Sequence, residues 1–270
     1  MTDQPGWAPP GTDTTRANTA RVYDYLLGGS HNFLADQDAG RAMTALEPNA
    51  RVFAQANRAF LGRAVRFLAA NGIRQFLDIG SGIPTAANVH EVAQQAAPGA
   101  RVAYVDIDPV AIAHSKAILA GNGNTAIVEA DLRDPEEIFA HQDIGQLIDF
   151  SQPAGLLLVA VLHFIADAED PWRIVASLRD ALAPGSYLIL GQATNEDPTA
   201  VIKAFEKMYN RSVSTQIHLR SRAEILRFFD GFHLVDPGLV YVSLWRPDSP
   251  ADVPADPSSF GNLVGVAHKD

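Results

Sequence analysis

Cysteine is absent from all 270 residues. That absence removes disulfides, thiolate zinc sites, iron–sulfur clusters and cysteine nucleophiles together, and it suits a reducing compartment, the cytoplasm. Basic charge is in deficit: 21 Lys and Arg stand against 31 Asp and Glu, for a formal charge of −10. A broad grip on nucleic acid or anionic lipid needs clustered cations, so neither is an expected partner. Long apolar runs are missing as well. The longest, Ala154 to Leu162 followed by His163 and Phe164 to Ala166, is too short for a membrane helix. The opening MTDQPGWAPPGTDTT has neither the basic nor the apolar part of a signal peptide. The eight histidines show no ligand spacing such as H-x-x-x-H, so no metal is expected. What is present, 47% hydrophobic and 19% charged residues, is the composition of a globular protein with a real core.

Four segments are expected along the chain. Residues 1–15, rich in Pro, Gly and Thr, offer nothing periodic to bury and read as a mobile lead. Residues 16–72 read as a helical extension. A short helix from Thr19 to Leu27 stops at Gly28-Gly29, and another covers about Asp36 to Ala45. A long helix then places Phe53, Ala56, Phe60, Ala64, Phe67 and Leu68 at three- and four-residue spacing up to Asn71-Gly72. From 73 to 246, short apolar runs alternate with amphipathic segments, as repeated βα units on a parallel sheet do. Strands are expected at Gln75 to Ile79, Arg101 to Val105, Thr125 to Ala130, Gly155 to Val161 and Ser186 to Leu190. Helices are expected at Ala86 to Ala97, Pro109 to Ala120, Pro135 to Ala140, Pro171 to Leu182, Pro198 to Tyr209 and Ser221 to Phe229. Phe232 to Val235 and Leu239 to Trp245, linked by Asp236-Pro237-Gly238, read as a closing antiparallel pair. Residues 247–270 are Pro-rich with an apolar end that reads as an edge strand.

The chemistry should lie beyond the carboxyl ends of the parallel strands, where the strand order reverses. The first strand runs into Asp78-Ile79-Gly80-Ser81-Gly82, a turn whose glycines admit a sharp bend and a close ligand. The second ends in Asp106-Ile107-Asp108-Pro109, with a carboxylate 24 residues after Gly82, near the spacing at which an acid takes ribose hydroxyls. Asp108, directly before the proline, is the better helix cap of the two. The third strand ends in Asp131-Leu132, where a carboxylate can accept from an adenine amino group. The fourth ends near Val161 and His163.

A dinucleotide site wants a third small residue, G-x-G-x-x-G/A, to seat a pyrophosphate on the helix N-terminus. Thr85 stands there, after Pro84, which counts against NAD. S-adenosylmethionine has no phosphate and carries a sulfonium and an ammonium group, so acidic strand ends suit it. The series Asp78 to Gly82, Val105 to Pro109, Asp131 to Arg133, Val161 to Phe164 and Leu182 to Gly185 resembles the successive motifs of class I S-adenosylmethionine-dependent methyltransferases. The stretch Arg21-Val-Tyr-Asp-Tyr-Leu-Leu-Gly-Gly-Ser-His-Asn-Phe33 is similar to the start of an actinobacterial family of S-adenosyl methyltransferases whose substrates are largely unassigned. The resemblance implies an α/β, Rossmann-like fold: a mostly parallel seven-stranded sheet with an antiparallel last strand and an N-terminal helical extension. It places Gly80, Ser81 and Gly82 around the cofactor's amino acid portion, Asp106 on the ribose, Ile107 against adenine, Asp131 and Leu132 at the adenine edge, and Val161 near the methionine side.

Three further expectations concern the acceptor. Tyr23, His31 and Asn32 read as lid residues that touch the cofactor, against the alternative of helices packed on the sheet edge. His163 is the candidate general base if the acceptor is a hydroxyl. Arg211, His218 and Arg220 form a weaker candidate site for an anionic acceptor. The expected activity is methyl transfer from S-adenosylmethionine to an unidentified small molecule; the alternative is a non-catalytic cofactor-binding sensor or interaction module.

Overall fold

The computed structural model describes residues 12–84, 88–196, 206–211, 213 and 215–270. Eleven residues of the expected lead, the start of the helix placed from Ala86, and most of the helix placed at Pro198 to Tyr209 lie outside them; residues 206–211 are helical.

Three helices open the described chain. α1 (Thr19–Leu27) is capped by the Asn18 side chain, which accepts from the backbone of Ala20 and Arg21, and ends where Gly28 takes φ +84°. α2 (Leu34–Leu46) follows, then α3 (Ala50–Ala70), which buries Ala54, Asn57, Phe60, Leu61, Ala64, Val65 and Leu68 along one stripe. Arg21 is buried and ties these helices to the rest of the molecule. Its Nε donates to Asp36 on α2 at 2.9 Å, and its Nη1 lies 3.9 Å from Asp108.

The sheet strands are β1 (Gln75–Ile79), β2 (Arg101–Asp106), β3 (Thr125–Glu129), β4 (Gly155–Val159), β5 (Tyr187–Ala193), β6 (His233–Leu234), β7 (Val240–Tyr241) and β8 (Asn262–His268). Their order is β3-β2-β1-β4-β5-β8-β6, with β7 also on β8. β1 to β5 are mutually parallel, and β8 runs antiparallel to β5 through seven residue pairs from Tyr187↔His268 to Ala193↔Asn262. β1 is buried at all five positions, as expected of a parallel strand covered on both faces. One apolar cluster fills the side holding Leu77, Val105 and Leu156; a second, with Phe60, Phe76 and Trp245, packs α3 on the opposite face.

The C-terminal sheet keeps the expected seven strand positions, one of them split into β6 and β7, but differs from the sequence expectation in two ways: its closing hairpin does not form, and its last strand is not at the edge. β6 and β7 do not pair with each other. Leu234 faces Ala267 and Val240 faces Val264, so they are two pieces of one interrupted strand along the outer side of β8. Asp236-Pro237-Gly238 is the interruption; proline has no N–H to give a ladder, and the chain bulges past it. β8 lies inside the sheet and is buried from Asn262 to Ala267.

Candidate active site

A cavity of about 480 Å³ opens at the carboxyl ends of the parallel strands. It sits where the order reverses, since β1 has β2 on one side and β4 on the other. Asp78, Gly80, Ser81, Gly82, Asp106, Ile107, Asp131, Leu132, Val161 and His163 all line it, and so does Tyr23.

The glycine turn is shaped as the sequence predicts. Gly80 has φ +74° and Gly82 φ +66°, values that a side chain strains. The N–H of Gly80 donates to Val105 O at 2.8 Å, which pins the turn to β2. A Cβ on Gly80 would run into the Val161 side chain, whereas one on Gly82 would meet no atom. Asp106 organises the same turn: Oδ2 accepts from Gly82 N at 2.7 Å and Oδ1 from Asp108 N at 2.9 Å. Asp108 is the helix cap, accepting from Val110 N in front of Pro109.

The electrostatics are unusual. Burial pushes the Asp78 carboxyl up to about 7, with Arg58 pulling it down and Asp106 adding to the rise. Burial pushes Asp106 up to about 6, opposed by the N–H groups of Asp108 and Gly82. Two carboxylates costly to ionise in one cavity favour a cationic ligand group beside them. Asp131 is more exposed and paired: Arg133 Nη1 lies 2.7 Å from it, while Arg133 Nε lies 2.7 Å from Glu169. Ile107, 59% exposed, offers an apolar face at the rim.

His163 is buried in the wall, and its Nδ1 has no hydrogen-bond partner. Burial first, then the charges of Arg220 and His218, lower it to about 3, so the ring is neutral through the physiological range. Tyr23 turns its hydroxyl inward to α3, donating to Ala54 O at 3.2 Å and accepting from Asn57 Nδ2 at 3.1 Å.

Two expected contacts are not brought to the cavity. Asn32 is buried and donates to Asp24 Oδ2 at 2.7 Å, and His31 packs its ring on His114 of α5 (Pro109–Ile118), with centroids 3.8 Å apart. The Gly28-Gly29 bend turns both against the helices instead of over the cavity. Nor do Arg211, His218 and Arg220 form an anion site. Arg220 is 1% exposed, and its guanidinium donates to Leu162 O, Ile165 O and Asp167 Oδ1, lacing the loop after β4 in place.

Sequence reasoning missed Arg58 and Asn57, which α3 delivers to the cavity wall, and Ala160, whose backbone sits at φ +60° at the end of β4. A helical pattern marks which face is apolar, and Asn57 and Arg58 read as ordinary polar positions in it. No local signal marks Ala160.

A Rossmann-like sheet with acidic strand ends, a glycine turn at the reversal and antiparallel C-terminal strands defines a class I methyltransferase. The chain belongs to the S-adenosyl methyltransferase family, which it matches over residues 5–270. It is 43% identical to a presumed methyltransferase from Thermobifida fusca YX, covering 98% of this chain and 99% of that one, with a TM-score of 0.91. It is 40% identical to a DUF574 family protein from Streptomyces avermitilis MA-4680, covering 96% and 99%, again with a TM-score of 0.91. Human N-acetylserotonin methyltransferase, solved with S-adenosylmethionine, is 15% identical over 94% of this chain and 63% of that one, with a TM-score of 0.50, a likeness of fold. No curated protein matches. The cofactor is S-adenosylmethionine. The residues present fit it: two acidic groups for its cationic end, a turn free of Cβ atoms, and an exposed isoleucine for a flat base. Among the described residues no helix is long and apolar enough to cross a membrane, and no cluster of His, Asp and Glu has the form of a metal site.

Proposed function

We propose that the chain methylates a small, largely apolar acceptor held between the strand ends and α1 to α3. The continuity of the cavity carries this reading. Asp78, Gly80 and Asp106 line the same cavity as Val22, Leu26, Met43, Phe53 and Tyr209. A shared space for cofactor and acceptor favours transfer over a non-catalytic binding module. Among the described lining residues Glu47 is the only charged one contributed from outside α3 and the strand-end segments, which suits a neutral or cationic acceptor better than an anionic one.

In this reading Gly80, Ser81 and Gly82 surround the amino acid portion, and Asp78 receives the ammonium. Asp106 takes the ribose, Ile107 covers the adenine face, and Asp131 with Leu132 meets its edge. When bound, S-adenosylmethionine supplies a methyl group activated by its sulfonium. The protein's part is to align the acceptor and exclude water, which can supply most of the acceleration of an in-line displacement. Val161 and His163 wall the reacting end; the neutral His163 ring accepts a hydrogen bond from a hydroxyl acceptor and orients it, its basicity, lowered to about 3, being too weak to carry off the proton. Tyr23 forms part of the wall. Zero cysteine suits the reducing cytoplasm, where we place the reaction.

The test is turnover. Purified protein with S-adenosylmethionine is offered panels of neutral phenols, amines and carboxylates, and both S-adenosylhomocysteine release and a mass gain of one methylene on the acceptor are followed. Turnover confined to neutral or cationic acceptors is expected. Tight cofactor binding with no transfer to any member would replace the enzyme reading with the binding module.

A further inference from the structure

The cavity lacks a base for a hydroxyl. Among its described lining residues there is no lysine, and His163 is the only histidine. Burial and the charges of Arg220 and His218 hold that ring at about 3, far below what the proton of an alcohol or a phenol requires. The lining tyrosines do not replace it. Tyr23 Oη donates to Ala54 O, Tyr209 Oη lies 3.2 Å from Thr19 Oγ1, and burial raises both phenols. Asp78 and Asp106, at about 7 and 6, stand at the ammonium and the ribose in the placement proposed above.

The charge of the lining points the same way. Five of the described lining residues are Asp or Glu and two are Arg, an excess of negative groups. An alkoxide or phenolate brought against that surface meets like charge. A nitrogen lone pair is neutral before transfer and positive after it. The nitrogen forms its bond to the methyl carbon as the carbon–sulfur bond breaks and that electron pair returns to sulfur. Positive charge thereby passes from sulfur to nitrogen, and an N–H proton leaves to water once transfer is complete. No proton has to be removed first.

Aromatic rings stand beside the histidine. Phe53, Phe164 and Tyr209 line the cavity; Phe164 is edge-on to the His163 ring with centroids 4.2 Å apart, and lies within 22° of parallel to Tyr209 at 6.2 Å. Such walls pack a planar ring, and their faces hold a cation formed on it. One ring nitrogen of a neutral histidine is an acceptor, so His163 orients an N–H without taking its proton. We infer that the methyl acceptor is an aromatic amine whose nitrogen is unprotonated at neutral pH, so that transfer proceeds without a general base. The inference deepens the methyl-transfer reading proposed above and rests on it.

The experiment offers the unaltered protein, with saturating S-adenosylmethionine, three acceptors of closely similar skeleton: para-propylaniline, para-propylphenol and para-propylbenzyl alcohol. Methylated product is followed by mass. Near pH 7 a phenol that titrates near 10, as tyrosine does, is about 99.9% protonated. With no base to ionise it, kcat/KM for the aniline should exceed that for the phenol and the alcohol by at least about tenfold. Between pH 8 and pH 9, where Asp78 and Asp106 are already ionised, the aniline rate should stay within about twofold, whereas a proton that had to leave before transfer would raise it about tenfold. Such a rise overturns the inference. So does transfer to the phenol or the alcohol as fast as to the aniline, or no transfer to the aniline at all; in the first of these cases the methyl-transfer reading stands. Tight cofactor binding without transfer to any acceptor of the wider panel removes that reading itself, a failure distinct from the others.

Discussion

His163 is held neutral by its surroundings, and this decides what it can do. With its proton affinity lowered to about 3 by burial and by Arg220 and His218, it has no titration between pH 5 and 9. Turnover should therefore show no inflection near 6.5, the usual histidine value, in a pH profile of the saturated rate. His163→Ala should reduce turnover at least tenfold and leave the cofactor dissociation constant within about threefold; unchanged turnover would show that its ring does not orient the acceptor. The carboxylates behave oppositely. Asp78 and Asp106 titrate near 7 and 6 in the folded protein, above the ordinary value near 3.9 of an unfolded chain, so the native state holds their protons longer. Their contribution to stability is complete below about pH 4 and is lost as pH rises through about 6 to 7. An ammonium ligand prefers the ionised pair, so cofactor affinity climbs through the same window. The rise in melting temperature caused by saturating S-adenosylhomocysteine should be larger at pH 8 than at pH 5.5; an equal or reversed difference would contradict the ammonium role of Asp78.

Single elements carry the site because each ends at it. The turn after β1 needs glycine twice: Gly80 for its backbone angle and for the Val161 side chain beside it, Gly82 for its angle alone, because any residue but proline could give the N–H that Asp106 holds. Gly80→Ala should cost about 1–3 kcal/mol of stability, read by denaturant unfolding, and lower cofactor affinity with it. The loop after β4 is held from a distance. Arg220 reaches it with four hydrogen bonds while its guanidinium lies 5.4 Å from the Trp172 ring centroid and 5.5 Å from that of Phe228. Arg220→Met takes the Arg220 donors from Ile165 O and Asp167, while Leu162 O keeps only Ile165 N, and should destabilise by about 2–4 kcal/mol in the same measurement. At this scale the sequence was largely readable. β1 begins and ends as its pattern predicts, and α5 starts at Pro109 behind its Asp108 cap, because strand runs and caps are local signals. β4 stops at Val159, two residues early, because the left-handed backbone of Ala160 turns the chain toward the cavity.

The whole molecule closes the cavity from segments far apart in the chain. Asn57 on α3 accepts from Asn262 Nδ2 of β8 at 3.3 Å, and Tyr209 Oη lies 3.2 Å from Thr19 Oγ1. The C-terminal strand is therefore structural in the full sense: β8 gives β5 one edge and holds β6 and β7 on its other. Deleting residues 262–270 should abolish cooperative unfolding and soluble yield together, since it exposes a seven-residue edge of β5 in mid-sheet. A soluble deletion protein with a sharp thermal transition would contradict this role for β8.

The parallel strands, the glycine turn and the three acidic strand ends could be read from the chain because each is written within a few residues, in apolar runs, turn chemistry and caps. The helices of the extension were readable for the same reason, by their period and their stops. Only the tertiary structure decided that Asn262–His268 enters the middle of the sheet, that β6 and β7 are one broken strand, that His31 and Asn32 turn away from the cavity, and that Arg58 of α3 lines the same cavity as Asp78. Those outcomes depend on pairings between residues many positions apart. Such pairings are chosen by which buried surfaces and hydrogen bonds can all be satisfied at once, a condition that no local pattern expresses.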